Sequence, residues 1–178
     1  TILFKNQQLL ATQSFLYPLT GLKESGHGVG HFDLSPLGAQ EIKGNLTTSF
    51  EDLIDEIDRS SASTVILSSE FWSYALPSYI NDFSKIFNKY DVSLVFYARE
   101  QKSLIESTFL WWQKEGLDYL GDIEKFFKVH ADSFDLLARI RPWAEAFGDD
   151  RMMCRLYDRA VIGDNVVSDF MAAVGILL

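Results

Sequence analysis

Runs of consecutive apolar residues alternate along this chain with stretches whose apolar residues recur every third or fourth position, and the two periods predict strands and helices. Ile2, Leu3, Leu9 and Leu10 fit a short amphipathic helix, and Phe15 to Pro18 an extended segment. Gly21 to Gly30 reads as a polar, glycine-rich loop. Phe50, Leu53, Ile54 and Ile57 share one helical face, with Thr47, Thr48 or Ser49 as cap, Glu51 and Asp52 suiting the positive end, and a stop near Ser60. TVILS, Thr64 to Ser68, is too short for a helix and predicts a strand, followed by a Pro-interrupted helical stretch from Tyr79 to Tyr90. Val92 to Tyr97 predicts a second buried strand, and Gln101 to Lys114, free of Pro and Gly, a helix. Further helices are expected around Asp122 to Val129, from Phe134 to Phe147 with a stop at Gly148, and from Asn165 to Val174 with Asp164 as cap. Met152 to Tyr157 predicts a third strand.

Strands that alternate with helices imply right-handed βαβ units, hence an α/β fold of three layers with a mostly parallel sheet flanked by helices. The chain has 178 residues, of which 47% are hydrophobic, enough for one substantial core and too few for two ordinary domains. Sixteen Lys and Arg against 25 Asp and Glu give a formal charge of −9, which opposes non-specific attraction to nucleic acid or anionic lipid. A single cysteine, Cys154, cannot form an intrachain disulfide, so a reducing, cytoplasmic setting is expected. No window approaches the roughly 18 to 20 apolar residues of a membrane span. The first residues, TILFKNQQLL, look like a helix already under way.

In an open α/β sheet the ligand site lies beyond the carboxyl ends of the strands. Two expected strands finish there in polar residues: Ser68, Ser69 and Glu70 after one, Arg99 after the other. The planar fork of Arg99 suits a phosphate, the next helix offers free N–H groups at its positive end, and Ser107, two turns along, offers a hydroxyl. Together they make a candidate anion clamp. The competing reading pairs Arg99 with Glu100, Asp91 or a neighbouring loop carboxylate, leaves Ser107 with a local backbone bond, and makes Glu70 a cap or an ion-pair partner. His27 and His31 are spaced by four, but the glycines between them oppose a helix and two ligands hold a divalent metal poorly, so no metal is expected and both read as exposed loop histidines. A role for them in acceptor binding or proton transfer is the alternative. Gly26, Gly28 and Gly30 do not lead from a strand into a helix and no GK[ST] follows, which argues against a phosphate loop. Most aromatics at helical spacing read as core, and His130 as structural; adjacent Trp111 and Trp112 cannot face the same way, and Trp112 is the candidate for stacking on a saccharide. Arg155 and Tyr157 share one face of the last strand, either shaping the cleft or pairing with acids.

Taken in order, NQQLLATQSFLYPLTG (Asn6 to Gly21), GHGVGH (Gly26 to His31), VILSSEFW (Val65 to Trp72), FDLLARIRPWAEAFG (Phe134 to Gly148), CRLYDR (Cys154 to Arg159) and VVSDFMAAVGI (Val166 to Ile176) resemble the bacterial branch of the sulfotransferase family. That family has a P-loop-type fold and uses 3′-phosphoadenosine 5′-phosphosulfate (PAPS). In it a strand ends in an arginine and a serine eight residues later sits on the next helix, the pair binding the 3′-phosphate; Arg99 and Ser107 match. The resemblance implies Glu70 as the base that takes the acceptor proton, ahead of His31 and His27, with a small-molecule or saccharide hydroxyl as acceptor. The family's Gly- and Thr-containing loop with a lysine belongs just ahead of the first helix, and nothing inside the chain replaces it. The resemblance therefore implies one domain over residues 1–178 lacking its first strand and phosphate loop. Its function is either sulfuryl transfer or, as a degenerate domain, the binding of a nucleotide or partner alone. A small-molecule kinase ranks last, since no magnesium-binding Ser/Thr and Asp can be placed.

Overall fold

A computed structural model describes residues 2–25, 28–36, 46–116, 121–163 and 165–176. The architecture is mixed α/β, mainly helical, with small parallel sheets. The chain divides into two compact units, Thr1–Lys89 with Phe170–Leu178, and Tyr90–Asp169.

In the first unit, α1 (Ile2–Lys5) and α2 (Gln7–Thr12) replace the single expected helix. The chain then enters β1 (Phe15–Leu16), which pairs in parallel with β4 (Thr64–Val65), Phe15 opposite Thr64. Between them lie β2 (Lys23–Ser25) and β3 (Gly28–Gly30), a 3-10 turn at Phe32–Leu34, and helix α3 (Leu46–Arg59). β2 and β3 form an antiparallel pair where a loop was expected. Glycine marks turns, but it also lets two backbones approach closely, and the period-two pattern that would reveal so short a ladder is missing. Thr47, Thr48 and Ser49 fall inside α3, which begins at Leu46, so none of them precedes it as a cap. β4 is shorter than the TVILS run: after Val65 one more bond, Ile66 N–H to Leu16 C=O at 2.8 Å, continues the ladder before the chain turns away. A 3-10 turn at Glu70–Tyr74 and helix α4 (Pro77–Ile86) follow, the latter starting earlier than expected because Pro77 is well suited to a first helical turn. Leu10, Tyr17, Leu34, Leu53, Ile66, Ile80 and Met171 are buried, as is the edge-to-face cluster of Phe50 with Phe83 and Phe87.

In the second unit, β5 (Leu94–Ala98) pairs in parallel with β6 (Met152–Leu156) over five residue pairs. The connection carries α5 (Gln101–Lys114), α6 (Ile123–His130), a 3-10 turn at Ala131–Phe134, and α7 (Leu136–Phe147), a helical crossover of the kind parallel strands require. Asp122 and Asp135 cap α6 and α7 through their side chains. Gly148 ends α7 with φ +98° and its N–H on Ala144 C=O at 2.8 Å. Phe109, Phe126 and Phe134 form the core between α5, α6 and the turn after it, with Leu104, Ile105 and Trp112 packed against them. After α8 (Arg159–Ile162) comes α9 (Val166–Ala173), within which the division between the units falls. Asp164, the expected cap, lies outside the described residues; the Asn165 carboxamide oxygen accepts the Val167 N–H at 2.9 Å. No helix among the described residues is long and apolar enough to cross a membrane.

Candidate functional site

The carboxyl end of β5 delivers Arg99 directly to the start of α5, and the helix brings Ser107 back over it two turns later. Arg99 Nη1 donates to Ser107 Oγ at 3.0 Å. Ser107 Oγ in turn donates to Leu104 C=O at 3.0 Å, so its proton is committed to the helix and its lone pairs face the guanidinium. The local backbone bond expected of a helical serine is present, and the same oxygen accepts from Arg99. The rival partners of Arg99 are occupied. Asp91 pairs with Arg151, and the Glu100 carboxylate accepts the N–H groups of Lys102 at 3.1 Å and Ser103 at 2.7 Å. These bonds, that from Ser103 foremost, hold the Glu100 carboxyl below its usual range. Among the described residues no carboxylate stands within ion-pair reach of Arg99, which is half-buried.

The same geometry corrects one expectation. The first-turn N–H groups of α5 are not free for an anion, because Glu100, whose own short side chain reaches them, caps the helix.

Arg155 belongs to a separate construction. It stands opposite Tyr97 in the β5–β6 register, and both reach Asp169 of α9: Arg155 Nε and Nη2 donate to its two oxygens at 2.6 Å, and Tyr97 Oη donates to Oδ2 at 2.6 Å. The bidentate arginine, then the tyrosine, bring the Asp169 carboxyl down to about 2; burial first, and then the Asp169 contact, push the Tyr97 hydroxyl up to about 12. Of the two readings of Arg155, pairing with an acid is the one observed. Asp169 escaped the sequence reading because nothing local distinguishes one helical acid from another.

In the first unit, His31 is fully buried, which corrects the expectation of an exposed loop histidine. Its Nδ1 accepts the Ser68 N–H at 3.0 Å and its Nε2 lies 3.1 Å from Pro18 C=O. Because an N–H only donates, Nδ1 is bare and Nε2 carries the proton. Burial lowers the His31 pKa to about 4 against the backbone bonds that raise it. With both ring nitrogens engaged and no exposed surface, His31 has no atom left to take a proton from a substrate. His27, the other histidine of the loop, lies outside the described residues. Glu70 is exposed and opens the 3-10 turn whose cap is Ser69, the Ser69 hydroxyl accepting the Phe71 N–H at 3.3 Å. Gly30 permits the close approach behind this turn: a Cβ there would stand 3.0 Å from Ser68 O.

Of the remaining candidates, Trp112 packs edge-on to Phe126 and to the His130 ring, so it is core, and its neighbour Trp111 is the exposed one. His130 sits in that aromatic cluster, as expected of a structural residue. Among the described residues no group of three or more His, Cys, Asp or Glu is placed to hold a metal ion. No family model, no curated protein and no solved structure matches the chain.

Proposed function

We propose that this chain is a sulfotransferase-like protein, its parallel strand pairs and helical crossovers belonging to a three-layer fold of P-loop type, that moves a sulfuryl group from PAPS to the hydroxyl of a small-molecule or saccharide acceptor. The observation that supports this most is the Arg99–Ser107 contact, with no carboxylate paired to the arginine among the described residues. A guanidinium bonded through one nitrogen to a neutral hydroxyl keeps its charge and most of its donors unspent, which suits the 3′-phosphate of the nucleotide. When bound, PAPS supplies the sulfuryl group and, as its S–O bond breaks, the leaving adenosine 3′,5′-bisphosphate. The Arg99 guanidinium, which the Ser107 oxygen orients, binds the ribose end; the resemblance separately implies Glu70 as the group that takes the proton of the acceptor hydroxyl as that oxygen bonds to sulfur.

Calorimetric titration with adenosine 3′,5′-bisphosphate tests the reading. The wild-type protein is expected to bind it, Arg99→Ala to weaken binding by about 30-fold or more, in line with roughly 2 to 5 kcal/mol for a charge pair truncated on one side, and Glu70→Gln to leave it unchanged. Absence of binding by the wild-type protein, or binding indifferent to Arg99, overturns the proposal.

A further inference from the structure

Ser68 lies just past β4 and two residues before Glu70, and each of its polar groups is held. Its N–H goes to His31 Nδ1 at 3.0 Å, its C=O accepts the His31 backbone N–H at 2.7 Å, and its hydroxyl lies 2.7 Å from the Tyr17 hydroxyl. Through its other nitrogen the same imidazole reaches Pro18 C=O. One buried ring therefore ties together the two chain segments that leave the carboxyl ends of β1 and β4. The first of these is fastened again by Glu56 of α3, whose carboxylate accepts the N–H groups of Leu19 at 2.7 Å and Thr20 at 2.8 Å, and the Thr20 hydroxyl at 2.6 Å.

We infer that His31, in its neutral Nε2–H form, is a positioning residue: it latches Ser68, and through Ser68 it sets the turn that presents Glu70. The inference rests on the reading of Glu70 as the base, but the latch itself is a property of the backbone and is measurable without turnover. Its chemistry makes it a one-state device. A proton on Nδ1 would set two donors against each other across 3.0 Å, so the imidazolium cannot hold Ser68. Among the described residues the groups that act on the ring are the Tyr17 ring, edge-on at 4.6 Å between centroids, and the Glu56 carboxylate through space. Glu56 favours the charged ring, burial opposes it, and burial is the larger effect.

Two substitutions separate the halves of the latch. Asn at this position keeps an oxygen near Nδ1 for the Ser68 N–H and loses the Pro18 bond; Gln keeps a donor toward Pro18 and loses the Ser68 bond. Amide exchange of the full chain at neutral pH is expected to speed up by about tenfold or more at Ser68, Ser69 and Glu70 in His31→Gln, and to change far less in His31→Asn. The Phe96 amide of β5 reports whether the loss is confined to the turn. Should either variant fail to fold, the wild-type protein carries the test: its imidazole 15N shifts are expected to show a bare Nδ1, and the Ser68 amide to lose protection as acid protonates the ring. Unchanged exchange at Ser68 in His31→Gln, a protonated Nδ1 at neutral pH, or a loss spread evenly over the chain overturns the latch. Failure of the base reading gives a different result, an intact latch with Glu70→Gln as active as wild type.

Discussion

Arg99 and Ser107 share one neutral-acceptor hydrogen bond on a half-buried surface, and removing either leaves no buried charge behind. Arg99→Ala is therefore expected to shift the urea midpoint by the equivalent of less than about 1 kcal/mol. A larger loss would mean that the arginine holds the fold and is not reserved for a ligand. His31 behaves in the opposite way. Its pKa is about 4 folded against 6.5 unfolded, so the unfolded chain takes up the proton first. The stability tied to the neutral ring is complete above pH 6.5 and drains away as pH falls toward 4, by about 3 kcal/mol in all. Glu56, its carboxyl held below 4.5, adds its own loss only at lower pH. Urea midpoints between pH 7 and 4.5 are expected to fall steeply in the wild-type protein and more gently in His31→Asn; parallel slopes would remove the assignment. The burial of His31 was not legible in the sequence, because it depends on Ser68, 37 positions away, while Arg99 and Ser107 lie eight apart across one strand-to-helix junction, a distance that local periodicity spans.

The elements differ in how openly their residues announce them. Gly148 is a stop signal whose chemistry is local, and it ends α7 where the sequence places the stop; Asp122 and Asp135 cap α6 and α7 although both fall within the expected helices and not ahead of them. Gly148→Ala places a Cβ at φ +98° and 2.7 Å from an Asp150 oxygen, and is expected to cost about 1 to 3 kcal/mol, read as a lower melting temperature. Glu100 shows how a local signal is missed: as a carboxylate next to Arg99 it invites an ion pair, yet its side chain turns back to the two N–H groups ahead of it. Glu100→Ala is expected to speed amide exchange at Lys102 and Ser103 and to leave the middle of α5 protected; unchanged exchange would show that the cap is not formed in solution. The β2–β3 pair was hidden for a different reason, since glycines carry no side chains from which an alternation can be read.

For the whole molecule, pattern alone conveyed the parallel pairing, because apolar runs separated by helices leave right-handed crossovers as the economical connection. It did not convey how short β1 and β4 are, since strand length depends on partners distant in the chain. The charge of −9 acts at this scale as well. A highly anionic nucleotide approaches a molecule of like sign, so its association rate is expected to rise as salt increases from about 20 to 150 mM and screens the repulsion, in stopped-flow measurements. A rate that falls instead would mean that a local positive field governs the approach. The most direct measurement of the central claim compares adenosine 3′,5′-bisphosphate with adenosine 5′-monophosphate by calorimetry, in the wild-type protein and in Arg99→Ala. The clamp predicts that the wild-type protein prefers the bisphosphate by about tenfold to a hundredfold and that the substitution erases the preference. Equal affinities in the wild-type protein, or a preference that survives without Arg99, would contradict it.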